Sequence, residues 1–483
     1  MKNYEIENTM NFKQRIAPAP VRAKSGERKA SPIRSRTPMS LLRWIGRVSG
    51  SLAMLSIPAI CSAQAAETEE MTQAKFQTTY IWQRKPSFPA AYSGANSLAP
   101  ELEKRSYTLS ATAFLGTRTW QGGELYFNPE VIMSQSLSNL TGLGGLTNGE
   151  NQKGGGPNPT FYTARLFVRH TWGFGGDKDK IESAPNQLAG EADKRRLVLT
   201  AGKLSLIDIF DNNSFSHDPR TQFLNWSLMT HGAFDYAADQ RGYSVGAALE
   251  YYHDDWIFRA GRFEQPIQSN GLPLDSRIFT HHGDQVEIEH AHEISGQPGK
   301  LRLLAFRNMA RMGSFQDALD FWNAHGRVGV PDVGNVRKDQ SKVGFGVNIE
   351  QSIAHGTGIF VRASRNDGGE ETYAFTEIER SLSGGILAKG SSWSRPDDAI
   401  GIAYAQNSLS PVHRQYLANG GLGFFIGDGN INYRPEAIIE LFYNLGLAKN
   451  TWASLDYQHI DNPAYNADRG PVRFIGARIH LEY

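Results

Sequence analysis

The chain has 483 residues, of which 40% are hydrophobic and 11% aromatic, and its formal net charge is +1. A mean hydropathy of −0.43 is too polar for a bundle of transmembrane helices, and the near-zero charge argues against a nucleic-acid-binding protein. The many aromatic residues and 49 glycines favour β-structure with frequent turns.

The N-terminal region has the pattern of a secretory signal peptide with an unusually long n-region. A basic stretch rich in Ser and Pro precedes the apolar run Val48–Ile60, and residues 63–65 have the small-x-small pattern of a cleavage site. The apolar run is shorter than the roughly 20 residues that a membrane-spanning helix needs. We predict a signal peptide over residues 1–65, with Met39 as an alternative translation start, and a single domain over residues 66–483.

Cysteine chemistry is excluded from this domain. The only cysteine, Cys61, lies in the predicted signal peptide, so the mature chain has no disulfide, catalytic thiol or thiolate metal site. No H-E-x-x-H or G-x-G-x-x-G motif is found either. We therefore expect no catalytic residue, no metal and no cofactor.

The predicted domain alternates apolar residues with polar or small ones in segments of about ten residues. In the last segment Ile475, Ile479 and Leu481 alternate with Arg478 and His480. Because strand side chains point alternately to two faces, this is the pattern of a transmembrane β-barrel. Such segments, an even number as bacterial barrels require, predict strands at 75–84, 106–116, 123–133, 161–172, 195–204, 242–253, 256–264, 284–294, 300–309, 341–351, 357–366, 372–383, 399–407, 436–447, 451–459 and 471–483.

Long connections alternate with short ones along the chain. Residues 134–160 are rich in Gly, Asn and Ser, so we expect them to be mobile and exposed. Residues 205–241 are dense in aromatic residues and are expected to pack inside the barrel as part of a constriction. In the loop over 310–340, residues 316–325 are expected to form a short helix; the fourth long loop is 408–435.

The fold class predicted is therefore all-β: a transmembrane antiparallel barrel of about 16 strands, with long extracellular loops partly folded into the lumen. The alternative is a secreted soluble β-protein, such as a sandwich or a propeller. A propeller would show a repeat of about 40 residues, and none is found. Aromatic residues at strand ends also look like the girdles of a membrane barrel.

Odd and even positions of a strand face opposite sides, and we call this alternation parity. Parity assigns many charged residues to the lumen, because an Arg or Lys facing lipid at mid-depth costs about 2–4 kcal/mol. A mixture of both signs with aromatic rings suits a neutral, polyhydroxylated solute. The alternative for each residue is a wall charge that only pairs with its neighbours. The pore-lining or sugar-contacting candidates are Arg165, Arg169, Glu287, Glu289, Arg362, Glu436, Glu440, Asp456 and Arg478. The constriction-loop candidates are Asp208, Asp211, His217, Asp218, Arg220, Phe223 and Trp226.

Two further pairs of residues bear on which face of a predicted strand is turned outward. Arg259 and Arg262 fall on opposite faces of one strand, which places one of them at an interface or implies a bulge. His290 and His292 share a face that parity turns outward, so interfacial histidines are favoured over a metal site.

A series of short motifs occurs in order along residues 195–262 and 396–483. They are residues 201–203, 208–211, 217–225, 232–237, 420–429, 433–436, 456–458, 462–466, 469–472 and 478–480. In this order they resemble the OprB-type carbohydrate-selective porins, and the likeness is weakest over 66–160 and 310–340.

The resemblance implies a sixteen-stranded barrel in the outer membrane of a Gram-negative bacterium, exported through a cleaved signal peptide and passing glucose and related sugars by passive diffusion. The partners expected are outer-membrane lipid and lipopolysaccharide, with small sugars as permeants, no nucleic acid, and a monomer or homotrimer. Alternatives are a general or other small-solute porin, an outer-membrane enzyme using the adjacent Ser216 and His217, and an adhesin acting through the long loops.

Overall fold

A computed structural model describes residues 69–151, 154 and 156–483. The predicted signal peptide over residues 1–65 lies outside the described residues. In the part of the chain that the structure describes, no helix combines the length and apolar composition needed to cross a bilayer.

Sixteen antiparallel strands form a closed barrel, in which the first strand pairs with the last. The predicted fold class is confirmed. The barrel strands are β1 Thr72–Lys85, β2 Glu103–Trp120, β3 Gly123–Gln135, β4 Thr160–Gly173, β7 Arg196–Leu204, β8 Ser244–His253, β9 Trp256–Glu264, β10 His282–Ile294, β11 Gln297–Met312, β12 Lys338–Ala354, β13 Thr357–Asn366, β14 Arg380–Lys389, β15 Ala399–Ser408, β16 Glu436–Ala448, β17 Thr451–Asp461 and β18 Val472–Glu482.

Five smaller elements lie between these strands. A separate two-stranded sheet is made by β5 Lys178–Ile181 and β6 Gly190–Asp193. The helices are α1 Trp226–Met229, α2 Phe315–Ala324 and α3 Pro411–Ala418. The helix expected at 316–325 is therefore present as α2.

The two ends of the barrel differ in the length of their connections. At one end most strands are joined by two-residue turns, such as Asp254–Asp255 and Lys449–Asn450. Asp254 and Asn450 have φ of 56° and 57°, a left-handed conformation that Asp and Asn tolerate better than most residues. Short turns mark the periplasmic end of such barrels and long loops mark the extracellular end.

The strands have two different faces, as β12 illustrates. Val343, Phe345 and Ile349 are exposed on the outside, whereas the intervening Lys342 and Glu350 are buried on the inside. A barrel in a membrane puts its apolar outer face against lipid and keeps its polar side chains for the lumen. The parity reading of the sequence is therefore correct along this strand.

One predicted strand is wrong. Residues 372–383 were expected to be a strand, but β14 begins only at Arg380. Residues 373–375 form a buried loop instead, and Phe375 has a φ of 64° that no strand residue adopts. Their alternation of large and small residues reflects packing inside the lumen, where Phe375 stacks on Trp226 with 4.6 Å between ring centroids.

The long loops also divide differently from expectation. Residues 205–241 do pack inside the barrel, with Phe210 and Phe234 buried, as predicted. Residues 142–151, expected to be exposed, are buried as well. Their glycines allow close packing: a Cβ on Gly144 would lie 2.2 Å from Tyr465 Oη, and one on Gly145 would lie 2.2 Å from Ser227 Oγ.

The orientation of the two faces can be tested by placing a charge on the lipid side. Val361 is an exposed, outward residue in the middle of β13, and Gln406 is an outward residue near the extracellular end of β15. Val361→Arg should cost about 2–4 kcal/mol of unfolding free energy and Gln406→Arg about 0–1 kcal/mol, because the cost depends on depth in the bilayer. Urea unfolding in lipid vesicles measures both; equal costs would contradict the assigned faces.

Candidate functional site: the lumen of the barrel

The loop between β7 and β8, residues 205–243, lies across the interior and is called here the lumen loop. Arg362 on β13 is its main cationic contact. Its Nε donates to Asp211 Oδ1 at 3.0 Å, and its Nη atoms donate to Leu228 O at 2.8 Å and Ser216 O at 2.7 Å. Arg362 and Asp211, both sequence candidates, therefore fix the loop to the wall.

Inward carboxylates hold the same loop through its backbone. Glu287 accepts the Asp211 N–H at 2.7 Å, and Glu440 accepts the N–H groups of Leu224 and Asn225 at 2.5 and 2.9 Å. A carboxylate that accepts backbone N–H groups satisfies donors that would otherwise be buried without a partner.

Glu436 does the same for the other loops. Its carboxylate accepts the N–H groups of Gly144, Gly145 and Ala464 at 3.0, 3.1 and 2.9 Å. One wall residue thus joins the loop after β3 to the loop after β17, and this is why residues 142–151 are drawn inward.

Glu289 belongs to an ion-pair network on the wall. Arg259 Nη1 lies 2.8 Å from Glu287 and 2.9 Å from Glu289, and Arg302 Nε lies 2.8 Å from Glu289. Arg262, on the opposite face of β9, pairs outward with Asp284 near the extracellular end. No bulge interrupts the pairing of β9 with its neighbours, so the two faces of this strand follow from parity alone.

The remaining wall candidates also contact protein. Arg478 Nη1 donates to the carbonyls of Pro219 and Gln222 at 2.7 and 2.8 Å. Asp456 Oδ1 accepts from Gln458 at 3.1 Å, and Arg169 Nη1 donates to Asn186 O at 2.9 Å. Of the nine wall candidates, only Arg165 lines the main cavity of the described lumen.

This cavity has a volume of about 520 Å³, within the range of small-molecule sites. Five of the seven loop candidates line it: Asp208, His217, Asp218, Arg220 and Trp226. Asp211 lies behind the loop, and Phe223 is buried against Phe442, at 4.9 Å between ring centroids. The sequence therefore identified the cavity-lining residues of the lumen loop more accurately than those of the barrel wall.

The charges in the cavity come in opposed pairs. Arg165 makes a bidentate contact with Asp208, at 2.6 Å for both bonds. Arg220 lies 3.2 Å from Glu130 and 3.3 Å from Glu150. Glu130 and Glu150 were missed, although Glu130 has inward parity on β3; Glu150 lies in the loop that the sequence placed outside.

Neighbouring cations lower the pKa values of two carboxylates in the lumen loop, Asp208 and Asp218. Burial would raise the pKa of Asp208, but the Arg165 guanidinium and the Ser205 N–H outweigh it and hold that pKa below its usual value. The same balance, with Arg220 as the cation, lowers the pKa of Asp218. Burial, aided by the charge of Arg362, lowers the pKa of His217, so this ring is neutral at pH 7.

Three polar atoms of residues around the cavity have neither a hydrogen-bond partner nor an ion-pair partner among the described residues: Trp226 Nε1, His217 Nδ1 and Arg241 Nε. The Trp226 ring stacks on Phe375 and Tyr236, and the Arg241 guanidinium lies 4.5 Å from the centroid of the Tyr162 ring. Buried polar atoms are rarely left without a partner. Each of the three atoms is itself buried, so it belongs to the packing behind the surface of the cavity.

Ser216 and His217 were considered as parts of an enzyme site, but the Ser216 hydroxyl donates to a backbone carbonyl and not to His217. Ser216 is buried, and its Oγ donates to Leu228 O at 2.6 Å. His217 lines the cavity with its Nδ1 without a partner.

Residues 108–483 match the family described as carbohydrate-selective porin, OprB family. The chain belongs to this family. A search of curated protein sequences finds no match.

Among solved structures, OprB of Pseudomonas putida at high pH superposes with a TM-score of 0.64 at 15% identity, covering 86% of this chain and 94% of that one. The outer-membrane channel DcaP of Acinetobacter baumannii gives a TM-score of 0.47 at 9% identity, over 85% and 97% of the two chains. The first likeness supports the barrel fold.

The protein is a sugar-selective porin of the outer membrane of a Gram-negative bacterium. Its family and fold are those of a channel rather than an enzyme.

The role of the wall charges can be tested at Arg362. Arg362→Ala removes the cation paired with Asp211 and a donor to the carbonyls of Leu228 and Ser216, and breaking such a buried pair costs about 3–5 kcal/mol. We expect a lower unfolding temperature and larger current fluctuations in planar bilayers, because the lumen loop loses its attachment. Arg473→Ala, at an exposed outward position on β18, is the control; equal behaviour of the two variants would contradict the assignment.

Proposed function

We propose that glucose and related sugars cross this channel by passive diffusion, with no catalytic step, and that the cavity under the lumen loop is where they bind. The observation that carries the proposal is a cavity of about 520 Å³ whose lining combines charged side chains of both signs with the rings of Trp226 and Tyr243. Sugar hydroxyls both donate and accept, so they can bond to guanidinium groups and carboxylates alike.

The charge pairs support a neutral permeant. Arg165 with Asp208, and Arg220 with Glu130 and Glu150, place opposite charges next to each other. A constriction dominated by one sign would concentrate ions of the other sign. Paired charges instead offer charge-assisted hydrogen bonds to hydroxyl groups with little net field.

Conductance in planar bilayers tests the proposal. Addition of glucose or maltose should lower the ion current in a saturable way, because a bound sugar occupies the path of the ions. If no sugar lowered the current, glucose and its relatives would not be the permeants, and a general small-solute porin would remain.

The Trp226 ring provides a residue-level test. Trp226→Phe keeps a stacked ring and removes part of the apolar surface that lines the cavity, which is worth about 1 kcal/mol or about five-fold in glucose affinity. The matched control is Trp322→Phe in α2, whose Nε1 donates to Gly329 O outside the cavity. Current block by glucose measures both variants. An unchanged half-blocking concentration in Trp226→Phe would remove this residue from the sugar site.

We also propose that phosphorylated lipid of the outer leaflet, such as lipopolysaccharide, binds the outer surface through arginines. Arg365 on β13 and Arg380 on β14 are directly paired in register, both exposed and outward at the extracellular ends of their strands. Neither has a carboxylate within ion-pair distance among the described residues. Like charges in this arrangement repel each other, and a phosphate between them would relieve the repulsion.

Replacing both arginines tests this contact. Each Arg near an anionic membrane surface contributes about 1 kcal/mol, so the double variant Arg365→Gln and Arg380→Gln should bind lipopolysaccharide about 30-fold more weakly. Native mass spectrometry of the detergent-solubilised protein measures the affinity. The control is Lys389→Gln with Lys449→Gln, at the periplasmic end, and an equal loss in both variants would contradict the proposal. Whether the protein is a monomer or a homotrimer stays a prediction, which the mass of the solubilised protein decides.

A further inference from the structure

The connection between β4 and β7 is unlike the other periplasmic connections. It covers residues 174–195 and contains the small sheet of β5 and β6. We call these residues the periplasmic hairpin, and residues 183–187 its tip. A two-residue turn would be enough to join neighbouring antiparallel strands, so the extra length has another use.

The tip has a defined turn. Ala184 and Gln187 exchange two backbone hydrogen bonds, at 3.1 and 2.9 Å, across Pro185 and Asn186. Asn186 has a φ of 61°. Pro followed by a residue with positive φ is the signature of a type II turn, which restricts the tip to one conformation.

The tip lies inside the barrel, against the inner wall. Gln73 on β1 donates to Gln187 O at 2.9 Å, Asn128 on β3 donates to Asn186 Oδ1 at 2.9 Å, and Arg169 on β4 donates to Asn186 O at 2.9 Å. All three donors have inward parity, and Asn128 is fully buried. The hairpin therefore folds back into the lumen from the periplasmic side.

The arm that follows the tip anchors it. Leu188 is 2% exposed and belongs to the apolar cluster that contains Tyr126 and Phe167, and its N–H donates to Tyr126 Oη at 3.2 Å. Ala189 N donates to the Glu70 carboxylate at 2.7 Å, and Arg118 donates to Ala189 O at 3.1 Å. Polar and apolar contacts together keep the hairpin in place.

The tip forms part of the wall of the same cavity as the lumen loop. Residues 183–186 line it together with Arg165, Asp208, Arg220 and Trp226. Two segments that enter the barrel from opposite ends thus bound one space. The tip therefore lies beside the periplasmic side of that space.

We propose that the periplasmic hairpin is a second constriction, which limits the size of the permeant on the periplasmic side of the cavity. This role rests on the chain being a channel and is independent of which sugar it prefers. A hairpin that only stabilised the barrel would affect unfolding and leave permeation unchanged.

Shortening the tip tests the proposal. Replacement of residues 183–187 by Gly-Gly keeps the Leu188 anchor and removes the part that lines the cavity. Single-channel conductance should rise by about two-fold, because conduction through a narrow pore depends on its cross-section. Larger uncharged polyethylene glycols should also enter the channel. The control is the same replacement at residues 325–329, which are exposed in the extracellular loop after α2.

A cysteine at the tip gives a second measurement that does not depend on deletion. In a Cys61→Ser background, Ser183→Cys should lose conductance in discrete steps when a bulky methanethiosulfonate reagent is added from the periplasmic side. His325→Cys, exposed outside the lumen, should not respond.

Heat-modifiable migration on gels is the control that the barrel of each variant has folded and closed. Unchanged conductance and polymer exclusion in the shortened variant, or no response of Ser183→Cys to the reagent, would overturn the proposal. Polymer exclusion is measured without sugar, so a failure of the glucose proposal is distinguishable from a failure of this one.

Discussion

The structure depends on one constraint: every backbone N–H group of a loop folded into the barrel must find an acceptor away from bulk water. The wall supplies these acceptors as carboxylates. Glu287, Glu436 and Glu440 each receive backbone N–H groups from an inserted loop, and Arg362 donates to the carbonyls of the lumen loop. The inward charges therefore fix the shape of the lumen before they act on any solute.

This constraint separates two groups of polar residues that the sequence cannot tell apart. Residues such as Glu440 and Arg362 are buried beneath loops and satisfied by protein atoms. Residues such as Asp218 and Arg241 line the cavity instead. In the function that we propose, selectivity depends on the second group, while the first determines where the second group lies.

Alternation predicted the barrel because lipid and water impose opposite demands on the two faces of every strand. It failed at residues 372–383, because aromatic residues packed inside the lumen imitate the outward face of a strand. Composition was misleading at residues 142–151, where the glycines indicated a mobile surface segment but allow close packing near Tyr465. The residues around the cavity come from separate parts of the chain, such as Glu150 and Arg220. Their meeting depends on long-range folding that no local pattern contains.

The same physics explains why the cavity is bounded from both ends. A barrel of this strand number is wide enough to leave an aqueous channel unless its interior is filled. Outward side chains point to lipid and cannot fill the interior. Connections between strands fold into the lumen instead, and each is attached to the polar wall. The lumen loop uses Arg362 and Glu440, and the periplasmic hairpin uses Gln73, Asn128 and Arg169. Filling the barrel from two sides leaves a space of about 520 Å³ that both segments line, and in the function that we propose this is where a sugar is held closely enough for its hydroxyl groups to be recognised.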